Sequence, residues 1–294
     1  MNCRSPMKVI KQEAPLKSFL AKIRNKKPRP RVGFVPTMGA LHAGHVSLIK
    51  NACKECDVVL VSIFVNPLQF GPMDDLTQYP RTLKKDIEQC ARWGVQAVFV
   101  PKNTFIAKHK LPKIKLPSHS KALCGSFRPG HFQGVAQIIW LLFKLIRPDT
   151  AYFGQKDYQQ YLLVKDLAKR YFNSKISIRL CPIARSKDGL ALSSRNQYLT
   201  SKERELALML SRCLKKGRQW IQQDPDHVQM VLKKMRFILD QNNGIKTDYL
   251  TCVDSNNLKN MFHYSSSRMS SLLLAGAVRI GKTRLIDNIL IPKP

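Results

Sequence analysis

Short apolar runs that alternate with amphipathic stretches of helical length constrain this chain more than any other feature. The alternation predicts strands at 32–36, 58–65 and 96–100, with helices at 45–54 and 82–93 between and after the first two. A long irregular segment, 102–131, follows. Then come a helix over about 134–146 stopped by Pro148, a strand at 150–153, a helix at 157–171 and a strand at 176–181. A short helix from Pro15 to Arg24, closed by a Lys/Arg/Pro linker, precedes them all. Strands joined through helices pair in parallel by right-handed crossovers. The expected architecture is therefore α/β, a doubly wound (Rossmann-like) parallel sheet. Past Arg185 the pattern changes. Thr200 with Glu203 three residues on is a capping box opening a long helix, and a second helix covers about 226–241. Strands at 247–253, 271–280 and 282–287 then follow at hairpin spacing. We expect two domains, 1–183 and a smaller α+β domain over 184–294, and see no internal repeat.

Where strand 32–36 hands over to a helix stand ten residues, Pro36-Thr37-Met38-Gly39-Ala40-Leu41-His42-Ala43-Gly44-His45. Open α/β sheets bind ligands at such handovers, and helix N-terminal amides favour anions such as phosphate. Two imidazoles three residues apart can hold the same anion; the alternative is a pair of surface loop histidines. A second block, Asn66-Pro67-Leu68-Gln69, follows the next strand on the same sheet edge, and its Asn66 and Gln69 can donate to and accept from hydroxyls and carboxylates. In a third, Gly154-Gln155-Lys156-Asp157, the glycine lets backbone approach a ligand and Lys156 offers a charge to phosphate. Gln160 lies about a turn further on. A fourth, Leu192-Ser193-Ser194-Arg195, reads as a flexible phosphate clamp at the domain joint, where a lid can close. Gly276 to Thr283 fits the Walker A spacing, but its Val-Arg-Ile interior prefers a strand, so Gly281-Lys282 is expected to be a hairpin turn.

Bulk properties narrow the class. Hydrophobic residues at 44% can fill a core, and Ile138 to Ile146, the most apolar stretch, is too short for a bilayer and contains Lys144. With no signal-peptide pattern and eight cysteines scattered rather than framed, we expect a cytoplasmic protein without a membrane role. Cys53 and Cys56 form a single CxxC at a helix end, expected to be structural rather than a dithiol or metal pair. Lys and Arg number 50 against 19 acidic residues, a net charge of +31 that draws anionic partners, polyphosphates and nucleic acid alike. No basic motif interleaved with aromatics stands out, so no specific nucleic-acid partner is expected.

In order along the chain, PTMGALHAGH, IFVNPLQF, YPRT at 79–82, RPGHFQGV at 128–135, YFGQKDYQQ, DGLALSSRN and TRLIDN resemble the pantoate–β-alanine ligase (pantothenate synthetase) family of the nucleotidylyltransferase superfamily with its HxGH motif. The resemblance implies condensation of pantoate with β-alanine to pantothenate, with ATP as substrate and pantoyl adenylate as intermediate, releasing AMP and pyrophosphate. It implies Mg2+ as cofactor and a homodimer built by the N-terminal domains. It places ATP on Met38, Gly39, Ala40, Leu41, His42, Ala43, Gly44 and His45, with His42, His45 and Lys156 catalytic. Gly154, Gln155, Lys156 and Asp157 would grip the nucleotide. Ala184 would meet adenine through its backbone, and Leu192, Ser193, Ser194 and Arg195 would close over the polyphosphate. Gln69 and Gln160 would bind pantoate with Asn66 in support, Gln69 also lying near β-alanine. The chain departs from the family in two places. Lys85-Asp86 stands where a pair of acidic residues commonly helps to hold magnesium, which leaves the metal's protein ligands open, and 102–117 lacks the usual Met-Tyr-Pro. The alternatives are another cytidylyl- or adenylyl-transferring enzyme of the superfamily, or a basic RNA-binding protein on the same fold.

Overall fold

Val32–Thr37 is strand β2, buried at every position but Pro36. It pairs in parallel with β3 (Val58–Ile63) on one side and with β5 (Thr150–Gly154) on the other. Neighbouring side chains on a strand point to opposite faces. The Phe34 ring meets Phe143 of α5 (His131–Ile146) edge-on at 6.3 Å. Val35, on the other face, packs in one core with Leu48 and Ile49 of α2 (Ala43–Glu55) and Cys90 of α3 (Leu83–Arg92). Helices thus cover both faces, which is why the central strands read as unbroken apolar runs. The computed structural model describes residues 6–72, 74–261 and 271–292.

β4 (Ala97–Phe99) lies outside β3 and β6 (Ser177–Cys181) outside β5, all parallel. A three-residue edge strand, β1 (Lys8–Ile10), pairs with β4 ahead of α1 (Glu13–Arg24). The sheet order is β1-β4-β3-β2-β5-β6. From β2 the chain builds outward through β3 and β4, then returns to the other side of β2 for β5. The order therefore reverses between β2 and β5, and that switch point is where doubly wound sheets bind ligands.

The chain divides into two compact units. The first holds residues up to Ser120, Arg128–Gln155 and Gln159–Pro182, and so the whole parallel sheet. The second holds Ile183 onward, and also takes Lys121–Phe127, with its single-turn α4 (Cys124–Phe127), and Lys156–Tyr158, where α6 (Tyr158–Tyr171) begins. In this second unit β7 (Ile245–Asp254), β8 (Leu272–Ile280) and β9 (Thr283–Ile291) make an antiparallel meander. Helices α7 (Ser201–Gln223) and α8 (Val228–Asp240) pack on it through Leu210, Leu214, Met235, Leu274 and Val278. The capping box is formed as expected: Thr200 Oγ1 accepts from Glu203 N and Glu203 Oε2 from Thr200 N. The Walker-like string is the β8–β9 hairpin, with Gly281 at φ 53° in its turn.

Three boundaries differ from expectation for local reasons. β1 is too short to show a period. α5 starts at His131 because Gly130, left-handed at φ 80°, replaces a polar N-cap. β9 runs past its expected end because Asp287 and Asn288, which look like a strand terminator, are buried with partners. Arg185 donates to both Asp287 oxygens at 2.7 and 2.9 Å.

Candidate active site

The decapeptide leaves β2 through Thr37, whose hydroxyl donates to Ser62 O of β3 at 2.7 Å and accepts from Gly39 N at 3.2 Å. Gly39 (φ 82°) and Ala40 (φ 49°) then turn the chain through two left-handed residues in succession. His42 follows as the N-cap of α2. Its Nδ1 accepts from Gly44 N at 3.1 Å, while its own backbone N–H donates to His45 Nδ1 at 3.3 Å. This is a capping box built from two imidazoles, their ring centroids 4.2 Å apart. Backbone N–H groups only donate, so both Nδ1 atoms are acceptors and each neutral ring carries its proton on Nε2. The pair is two Nε2–H donors at a helix N-terminus, suited to phosphate.

Asn66 and Gln69 follow β3 and Gly154 ends β5, on the same edge of the sheet as the decapeptide. Asn66 is 1% exposed, caps the turn Pro67–Gln69 by accepting from Leu68 N, and donates to Gln69 Oε1 (3.1 Å) and Gly134 O (3.1 Å). That contact orients the Gln69 amide, whose Nε2 reaches Met38 Sδ at 3.0 Å. Gln69 and the decapeptide are thus brought together. Gln160 lies in the first turn of α6. Around Gly154 a Cβ would meet nothing within 4 Å, so packing does not demand this glycine and the space beside it is open.

Sequence reasoning missed what carries Gln69. Its carbonyl accepts from His131 Nδ1 at 2.8 Å and from Arg128 Nη2 at 3.3 Å, and Arg128 also reaches His131 Nε2 at 3.1 Å and Asp74 at 2.8 Å. Burial pushes the Asp74 carboxyl up, but bonds from Arg128 and Gly71 N outweigh it and hold it below its ordinary value. Gly134, one turn into α5, lets the helix lie on the turn: a Cβ there would sit 2.1 Å from Leu68 O. The signal in the sequence was RPGHFQGV, an Arg, a His and a glycine spaced three apart.

In the second unit, Lys156 and Ser193 line one small cavity with Leu190 and Asp287. Lys156 Nζ is 3.8 Å from Asp157, and its carbonyl accepts from Asn288 at 3.0 Å. Ala184 O accepts from Leu192 N at 3.0 Å, setting those two residues side by side. Ser193 Oγ accepts from Arg195 N at 3.3 Å as the cap of the turn Ser194–Tyr198, so this clamp is an ordered turn.

At the CxxC, Cys53 Sγ faces Trp93 O and Cys56 Sγ faces Tyr152 Oη, each at 3.3 Å. Elsewhere burial pushes thiols up, to about 12 at Cys90 and Cys252. Among the described residues no helix is long and apolar enough to cross a membrane.

The sequence pattern of the family described as Pantoate-beta-alanine ligase matches residues 8–290. A pantothenate synthetase of Sulfurihydrogenibium sp. (strain YO3AOP1) is 40% identical over 285 residues, covering 96% of this chain and 99% of that protein. The crystal structure of pantothenate synthetase from Thermus thermophilus superposes with a TM-score of 0.87 at 36% identity, covering 96% of this chain and 99% of the other. That of pantoate-beta-alanine ligase from Francisella tularensis, complexed with beta-gamma ATP and beta-alanine, gives 0.75 at 35% identity over 97% of each chain.

Proposed function

The chain belongs to the pantoate–β-alanine ligase family, and from that premise we propose how its residues divide the work of joining pantoate to β-alanine at the expense of ATP. In the first step the pantoate carboxylate attacks the α-phosphorus of ATP. A new C–O–P linkage forms as the bond to pyrophosphate breaks, giving pantoyl adenylate. A carboxyl with a pKa near 4 is already ionised at neutral pH, so this step needs no general base. It needs alignment and donors aimed at charge growing on phosphoryl oxygens. His42 and His45 are those donors, through Nε2–H. Met38, Gly39, Ala40, Leu41, Ala43 and Gly44 form the ATP loop, while Gln69 and Gln160 bind pantoate with Asn66 orienting Gln69. In the second step the neutral amine of β-alanine attacks the acyl carbon. The acyl C–O bond breaks, AMP leaves with its electron pair, and the amine loses a proton to solvent.

Lys156 and Arg195 are proposed to neutralise the phosphates. Leu192, Ser193 and Ser194 would shape the polyphosphate contact, Ala184 would meet adenine by its backbone, and Gly154, Gln155 and Asp157 would contact the nucleotide. Magnesium suits a triphosphate substrate, but no three His, Cys, Asp or Glu side chains gather among the described residues, and both Asp86 oxygens already accept hydrogen bonds. The residues do not fit a metal held by the protein. Magnesium would come on the ATP phosphates with waters completing its shell. A homodimer in the cytoplasm completes the proposal: none of the cysteines among the described residues is in a disulfide, as a reducing compartment keeps them. Sedimentation at twice the chain mass is the expected result.

The observation that carries this reading is the pair of imidazoles whose Nδ1 atoms are both spent on backbone at the switch point of the sheet. The purified protein, given ATP, magnesium, pantoate and β-alanine, is expected to release AMP in step with pantothenate. Release of ADP and phosphate would instead mean an acyl phosphate route and overturn the reading.

A further inference from the structure

The histidine loop is shaped by a carboxylate far away in sequence. Asp86 lies in the first turn of α3, where a helix favours negative charge, and is 1% exposed. Its Oδ2 accepts from Ala40 N at 3.0 Å and its Oδ1 from Leu41 N at 2.8 Å. The Thr82 hydroxyl lies 3.1 and 3.2 Å from the two oxygens. One turn along α3, Gln89 Nε2 donates to Leu41 O at 3.3 Å. Helix α3 therefore grips Leu41 by both its N–H and its carbonyl.

The grip has a conformational purpose. Ala40 is left-handed at φ 49°, a conformation unfavourable for an L-residue, and alanine has no polar side chain to offset it. Successive amides around such a turn converge into a concavity that binds anions. The anion that fills this one is the protein's own Asp86. The Ala40 and Leu41 amides are thereby committed, and the next residue, His42, is delivered to the N-cap of α2. We propose that Asp86, backed by Thr82 and Gln89, is a positioning residue that holds Gly39–Leu41 in this turn and so sets the two imidazoles, in place of ligating a metal. The functional half of the proposal rests on the reading of His42 and His45 as donors to ATP.

Asp86→Asn tests it, because an asparagine amide must turn one N–H donor toward a backbone N–H. Exchange of the Ala40 and Leu41 amides is expected to accelerate, and kcat for AMP release to fall about 10- to 100-fold. The magnesium concentration giving half-maximal rate should not move. Adding Ala40→Gly to that variant removes the left-handed penalty and should restore kcat about 5- to 10-fold, equivalent to about 1–1.4 kcal/mol. Recovery of Asp86→Asn by excess magnesium would make Asp86 a metal ligand and overturn the proposal, as would unchanged amide exchange. If Asp86→Asn does not fold, Thr82→Val keeps the carboxylate and loosens it. Faster exchange at Ala40 and Leu41 supports the proposal there, and unchanged exchange with unchanged kcat overturns it. A wild-type protein that protects both amides yet releases no AMP would fail the ligase reading and leave the loop contact standing.

Discussion

At the scale of single residues, each of two histidines is proposed to use the two sides of its ring for two jobs. Nδ1 of each completes the start of α2, and Nε2–H is the donor proposed for phosphate. The jobs can be separated. Asparagine is among the best N-caps, so His42→Asn is expected to keep the melting temperature within a few degrees while turnover falls steeply. His45→Ala should lower kcat about 10²–10³-fold, roughly 2.7–4 kcal/mol, if it acts like an oxyanion donor; wild-type turnover would remove it from the mechanism. Asp74 gives a pH dependence with a definite sign. Its folded pKa is held below the ordinary 3.8, so its contribution is complete above that value and lost as pH falls through the lowered folded value. Protection of the amides around Gln69, taken relative to their intrinsic exchange at each pH, should therefore hold from neutral pH to about pH 4 and fall only in stronger acid. Loss of protection beginning near pH 6 would contradict it.

At the scale of elements, what could be read from the sequence was what local chemistry writes. The central strands of the parallel sheet are apolar runs and the α7 start is a Thr-x-x-Glu box, so both stood out. The histidines, Gln69 and Lys156 stood out as motif residues after strands. Asp86 did not show its role, because its partners Ala40 and Leu41 are backbone amides with no side-chain signature, 46 and 45 residues away. Arg128 and His131 stood within a legible motif, but their partner did not show, since they hold the carbonyl of Gln69 and not its amide. The contact between α5 and the Pro67–Gln69 turn is the element-level feature most open to a test. Gly134→Ala places a methyl 2.1 Å from Leu68 O. Overpacking of this kind costs about 1–3 kcal/mol or more. The variant should melt several degrees lower and show a raised KM for pantoate with little change in KM for ATP. An unaltered pantoate KM would separate Gln69 from this helix.

At the scale of the whole molecule, the alternation of strands and helices dictated a parallel sheet, but the order β1-β4-β3-β2-β5-β6 depends on pairing between distant segments. That order puts its reversal beside β2, and so turns a plausible phosphate loop into one at the ligand-binding edge. The partition of the chain was equally non-local, since Lys121–Phe127 and Lys156–Tyr158 join the unit that begins again at Ile183. The charge of +31 fits a polyphosphate substrate but does not select one. What selects the chemistry is the claim that the histidine loop stabilises transfer to a carboxylate before any amine is needed. Exchange of labelled pyrophosphate into ATP, with pantoate present and β-alanine absent, tests that claim most directly. Label should enter ATP only when pantoate is added and should nearly vanish in His45→Ala. Absence of exchange until β-alanine is supplied, in a preparation that makes pantothenate, would contradict an adenylate formed in a separate first step.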